Sequence, residues 1–219
     1  MAEFSDDELV YEDHSQLPDI MPIFPLPNVV LFPNSSLPLF IFEDRYKQMV
    51  RHCLEGDRYL SVALLKKGWE QQSGTPRPHT TSGFGRIIRV ARQPNDCMDI
   101  VIQGMGRIEM TEFYDDRPYL RASVTLVQPQ YTPGEDLAAS AETLRQRFLS
   151  LLDARGITAL ELRTSLKLLA SPIDLVFFMT SHLPLDFYVK QEILEQLSVG
   201  DQIAQLNDIL SSSMGTQLN

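Results

Sequence analysis

Cysteine is scarce in this sequence: Cys53 and Cys97 are the only two, and they form no C-x-x-C pair. A disulfide framework is therefore not expected. Histidine is equally thin, since His14, His52, His79 and His182 lie far apart and no H-E-x-x-H element is present to hold zinc. No G-x-x-x-x-G-K-[ST] phosphate loop occurs, which excludes an ATP-driven motor. Gly83-Phe84-Gly85 lacks the third glycine of a dinucleotide fingerprint and precedes an extended stretch instead of a helix. Ser165 and Lys167 are two apart on a helical pattern, so they face different directions and make a poor nucleophile–base pair. No apolar run is long enough to cross a bilayer, and the N-terminus lacks the basic region of a secretion signal. The expectation is a cytoplasmic chain with no membrane contact, no metal, no cofactor and no catalytic residue.

Positive charge is missing from residues 1–20, which hold Glu3, Asp6, Asp7, Glu8, Glu12, Asp13 and Asp19. Of the 29 acids, 22 remain for the rest of the chain against 19 Lys and Arg, so the net −10 falls to −3 beyond this segment. The acidity is mostly a tail. Such a segment reads as solvated and disordered, or as a docking arm for a basic partner.

What is present begins with residues 21–46, MPIFPLPNVVLFPNSSLPLFIFEDRY. Ile23, Phe24 and Leu26 make one apolar strand run, and residues 29–32 make a second that stops at Pro33. Asn34-Ser35-Ser36 supplies a turn, and residues 37–42 resume the extended pattern. Proline fixes φ and lacks a donor, so these strands should be brief or lie at edges. Glu43-Asp44 then opens a helix with Tyr46, Met49, Val50, Cys53 and Leu54 on one face.

Further strands are expected over residues 59–66, 83–92, 98–103, 107–113 and 119–127, with a bend or bulge at Gly104 and Gly106. Residues 68–80 form a polar loop between them. Beyond a linker at 130–134 the period changes from two to 3.6. Leu144, Phe148, Leu151 and Leu152 share one helix face, and Leu160, Leu162, Leu166, Leu168 and Leu169 belong to a second helix. Ser171-Pro172-Ile173-Asp174 is a capped start for a third, apolar nearly all round and so central to the lobe. A fourth carries Phe187, Ile193, Leu194 and Leu197, and Ser198-x-x-Asp201 caps a fifth. The fold class is α+β: an acidic tail (1–20), a β subdomain with one helix (21–130), a helical bundle (135–211) and a polar tail (212–219).

The order P-x-F-P-L-x-x-V-x-L-F-P followed by L-P-L-x-I-F-E-x-R-Y, from Pro22 to Tyr46, resembles the opening of the Lon N-terminal domain. It is most similar to the stand-alone bacterial proteins that carry this domain without a protease. Gly83 to Ile87, the turn from Gly104 to Arg107, Pro118 to Ala122 and Lys190 to Glu195 extend the resemblance over roughly residues 20–210. It departs at Asn34, where the family commonly has Gly; Asn tolerates left-handed φ. The resemblance implies a PUA-like small β-barrel followed by an all-helical lobe. It also implies a non-enzymatic module that binds unfolded or tagged polypeptide, or a partner protein, in connection with proteolysis or quality control. The family's Ser–Lys pair belongs to a separate protease domain.

Recognition of polypeptide needs exposed apolar surface more than reactive groups. The candidate partner-binding residues are Glu43, Arg45, Tyr46, Trp69, Phe84 and Arg86. Trp69 is either a peptide anchor on the loop rim or a cover for the barrel end. Arg45 is either a ligand contact or the structural partner of Glu43 or of a backbone carbonyl. Since PUA-like barrels include RNA binders, Arg86, Arg89 and Arg92 beside Phe84 form a possible phosphate stripe. The near-neutral body and acidic tail argue against nucleic acid. The oligomeric state is not specified by the sequence.

Overall fold

A computed structural model describes residues 17–215 except 72 and 74. Expectations for residues 1–16 and 216–219 lie outside the described residues. Directly ahead of the first strand, Leu17 packs on the core and Asp19 O accepts from Val124 N.

Six strands come first, with one helix among them: β1 (Ile20–Leu26), β2 (Ser36–Ile41), α1 (Asp44–Glu55), β3 (Tyr59–Leu64), β4 (Thr81–Arg92), β5 (Met98–Tyr114) and β6 (Arg121–Leu126). Five helices follow: α2 (Leu137–Ala154), α3 (Leu160–Leu168), α4 (Pro172–His182), α5 (Phe187–Glu195) and α6 (Val199–Gly215). The sheet runs β2-β5-β4-β3-β1-β6, and β6 pairs back onto β5, so the sheet wraps into a small barrel. The β1–β3 pair is parallel and the rest are antiparallel.

The prolines sit where the ladder tolerates them. The first half of β1 pairs β6, at Ile20 to Pro22, and the second half pairs β3, at Ile23 to Leu26. Each half therefore keeps an open side that needs no donor. Pro38 lies in β2, an edge strand.

Two expectations for the β region change. Residues 29–32 are not a strand but an irregular crossover, and Leu31 and Phe32 are each 1% exposed. The crossover lies directly on the glycines of β4 and β5. A Cβ at Gly83 would stand 1.9 Å from Leu31 O, and one at Gly104 would stand 2.0 Å from Phe32 O. The second change is that residues 98–114 form one continuous strand. The glycines mark a bulge, since Phe84 pairs Gly106 while Gly85 pairs Gly104. Asn34 adopts φ +61, its N donates to Gly104 O at 2.9 Å, and its side chain reaches Asp174 Oδ1 of α4 at 3.0 Å.

Helix α1 buries Tyr46, Met49, Val50 and Cys53 against Phe24, Ile41, Leu60, Val62, Ile100 and Ile102 of the sheet. Full burial of such aliphatic side chains contributes about 1.5–3 kcal/mol each, which fixes the helix to this face. In the helical lobe Ser171 Oγ accepts from Asp174 N, and Ser198 Oγ accepts from Asp201 N at 3.2 Å, as the caps require. Helix α4 is central, with Leu175, Val176 and Met179 fully buried. Helix α3 forms where the sequence places it, with Leu166 its one buried residue and Leu160 and Leu168 pointing into solvent.

The junction between the sheet and the helices is polar. Arg107, 2% exposed, leaves β5 and donates from Nη1 to Leu194 O (2.8 Å) and Gln196 O (2.7 Å) at the C-terminal end of α5. Its guanidinium lies 5.2 Å from the Phe177 ring, and burial lowers its pKa to about 10. Gln191 Nε2 donates to Thr81 O and to Glu195 Oε1, and the same Oε1 sits 2.8 Å from His79 Nδ1. The linker is pinned by Gln130 N to Leu197 O and Val199 N to Gln130 O.

Candidate functional site

An exposed apolar surface lies on the outer side of β2, β5 and β4. Alternation along β2 turns Ile41 to the core, with Leu37 and Leu39 partly buried against it, and leaves Ser36, Pro38 and Phe40 outside. Phe40 is 54% exposed, and Phe42, just past the strand, is 61% exposed. Their rings stack at 6.1 Å with an interplanar angle of 26°.

The ladder register extends this strip. Phe40 pairs Asp99, which pairs Ala91, and Pro38 pairs Val101, which pairs Arg89. Between Ile87 and Arg89 the register shifts, so Ile88 and Arg89 are exposed in succession and Ile88 joins the apolar surface at 55% exposure. The result is a shallow depression of about 560 Å³ with Pro38, Phe40, Ala91 and Val101 on its walls and Arg89 at its side. Asp99 Oδ2 accepts from Gln93 Nε2 at 2.6 Å, while Arg89 makes no ion pair among the described residues. This face offers apolar contact, one cation and one engaged carboxylate. It contains no nucleophile next to a base.

The residues singled out from the sequence do not converge on one place. Glu43 and Arg45 follow Phe42 directly, so they stand at the end of the aromatic strip. They pair with each other, Arg45 Nη2 to Glu43 Oε2 at 2.8 Å. Tyr46 is a correction: it is 6% exposed, its ring centroid lies 4.3 Å from that of Phe24, and burial raises the pKa of its hydroxyl. Phe84 is another correction, at 0% exposed, packed over Gly106 and edge-on to Tyr59. Neither ring offers surface to a partner, because each fills a position on the inward side of its element. Arg86 is half-buried and pairs Tyr59 and Gln103 in the ladder. Trp69 is half-buried on a short 3-10 turn, Trp69–Gln71, on a loop whose His79 contacts α5.

Phe40 and Phe42 are what reading the sequence missed. A clue existed, because strict alternation from the turn at Asn34 puts 38, 40 and 42 on one side. Their apolar character concealed which side faces water.

Among the described residues no group of three or more His, Cys, Asp or Glu is placed to hold a metal ion, and no helix is long and apolar enough to cross a membrane. Cys53 is buried, and its pKa is pushed up to about 12, chiefly by desolvation and then by Asp57.

Comparison with known proteins gives a consistent result. The profile of the ATP-dependent protease La (LON) substrate-binding domain matches residues 20–212. A Lon protease of Koribacter versatilis is 29% identical over 215 residues, covering 94% of this chain and 26% of that protein. A Lon protease of Desulfovibrio desulfuricans is 26% identical over 193 residues, covering 87% of this chain and 22% of that protein. The chain thus spans about a quarter of the length of these relatives. Among solved structures, the N-terminal domain of Mycobacterium avium complex Lon protease superposes with a TM-score of 0.71 at 18% identity, covering 88% of this chain and 98% of that one. A Lon N-terminal domain protein from Xanthomonas campestris gives 0.61 at 19% identity, covering 86% and 97%. At these identities the structures establish the shared fold. The residues matched by the profile establish more: this chain belongs to the Lon substrate-binding domain family.

Proposed function

We propose that this chain is a non-catalytic module that binds extended polypeptide, an unfolded segment or a partner protein, in connection with proteolysis or quality control. The segment lies along the β2–β5–β4 face. The observation that carries this reading is the stacked pair of exposed aromatics, Phe40 and Phe42, beside a shallow apolar depression. Aromatic side chains bury large areas at low entropic cost and dominate contact energies. Side chains provide the grip here. Pro38 in the edge strand removes one backbone donor that an added strand would use. Membership of a substrate-binding family supports the choice of polypeptide as ligand.

The test is titration of a carboxymethylated, permanently unfolded protein, followed by fluorescence anisotropy. Phe40→Ser with Phe42→Ser should weaken binding at least about thirtyfold, since losing each aromatic anchor costs on the order of 1 kcal/mol or more. Unchanged affinity in a normally folded double variant would overturn the site. Failure of the native chain to bind any polypeptide would overturn the function. A structured or single-stranded RNA tested in parallel at low salt separates the alternative reading. RNA binding that falls steeply with salt and is lost in Arg86→Ala with Arg89→Ala would favour it.

A further inference from the structure

Helix α3 presents the two most exposed large apolar side chains among the described residues: Leu168 at 78% and Leu160 at 76%. The helix is held from one side only. Leu166 is buried, Leu162 and Leu169 pack partly on the bundle, and Arg145 of α2 donates to the carbonyls of Leu166 and Leu169 at its C-terminal end. Leu160, Thr164 and Leu168 form an i, i+4, i+8 ridge along the opposite side, the kind of row through which helices pack. A nine-residue helix gains little stability from its own propensity, so an open apolar ridge of this length suits a packed neighbour.

The order of residues along that ridge says what the neighbour is. Four residues to either side of Thr164 stand Leu160 and Leu168, and three residues to either side stand Glu161 and Lys167. The pattern is therefore symmetric in shape and antisymmetric in charge about a small central residue. We propose that α3 is a homodimer interface, in which two copies cross antiparallel about a two-fold axis through Thr164. Each Leu160 then meets Leu168 of the second copy, and each Glu161 stands level with Lys167 of the second copy. Neither Glu161 nor Lys167 makes an ion pair within the chain among the described residues, so both are available. A two-fold contact requires this self-complementarity, whereas an unrelated partner does not. Ile157, half-exposed just ahead of the helix, widens the patch. Two helices this short bury less than the roughly 1,200 Å² of a tight interface, which places the association in the weak, reversible class.

The experiment is sedimentation equilibrium on the full chain from micromolar to millimolar concentration. The weight-average mass should rise from 24.9 kDa toward twice that value. Leu160→Glu with Leu168→Glu should hold the chain monomeric, with circular dichroism unchanged because both side chains are exposed. Glu161→Lys and Lys167→Glu should each weaken the dimer about tenfold, because each reversal sets like charges against each other twice across the axis. The double reversal should restore it. A monomer at every concentration would overturn the proposal. So would a dimer indifferent to the leucine changes, or a double reversal no better than the singles.

Discussion

Gly83→Ala should be among the most damaging single-methyl additions this chain can receive. The added Cβ would lie 1.9 Å from Leu31 O and 2.8 Å from Leu31 C, both backbone atoms that no rotamer change can remove. Ordinary contact begins near 3.4 Å, so the crossover at residues 29–32 would have to retreat by about 1.5 Å. That retreat pulls Leu31 out of the cluster beneath α1 and Phe32 out of the cluster it shares with Phe177 of α4. Full loss of one such side chain costs about 2–5 kcal/mol, so partial loss of two gives on the order of 4 kcal/mol. At about 2–4 °C per kcal/mol for a chain of this size, Tm should fall by roughly 8–16 °C. Gly68→Ala is the control. Gly68 has φ +79 with nothing within 4 Å of its Cβ, so only left-handed strain, about 1 kcal/mol, is added. Urea titration of both variants, with native-state hydrogen exchange at Leu31 and Phe32, measures the difference. A Gly83→Ala protein within about 1 kcal/mol of the parent would refute the seating of the crossover on the glycine.

Arg107→Met keeps most of the side-chain stem but leaves the carbonyls of Leu194 and Gln196 without their donor, and orphaned buried acceptors cost about 1–3 kcal/mol each. Relief of the guanidinium's own burial offsets part of this, so a net loss of about 2 kcal/mol with faster exchange at the end of α5 is expected. Equal or higher stability in a urea titration would show that the junction does not depend on the arginine. For Cys53 the folded pKa, about 12, exceeds the ordinary thiol value of 9.0. The unfolded chain therefore releases the proton first, and stability is lost as pH rises between those values, at up to about 1.4 kcal/mol per pH unit. Cys53→Ala should flatten that alkaline decline, and iodoacetamide at neutral pH should label Cys97 well before Cys53; equal labelling of the two would count against the burial argument.

Local features were legible because local physics governs them. The face of α1, the caps at Ser171 and Ser198 and the left-handed turn at Asn34 each depend on residues within a few positions, and the structure carries them as the sequence implies. The candidate partner-contact residues were less accessible. Tyr46 and Phe84 were candidates for partner contact but lie inside, while Phe40 and Phe42 read as ordinary strand residues but lie outside. A period of two states which residues share a side and leaves open which side meets water.

By itself, then, the sequence determined the helices, most of the strands and the family, because helix caps, turn residues and apolar periods act over short spans. The strand order of the barrel, the position of β2 at its edge and the placing of the crossover on Gly83 and Gly104 were decided only by tertiary structure. Those depend on pairings between residues far apart in the chain. The course of Arg107 from β5 to the end of α5, 87 positions later, belongs to the same class. A buried charge finds its acceptors only after both halves have folded around it.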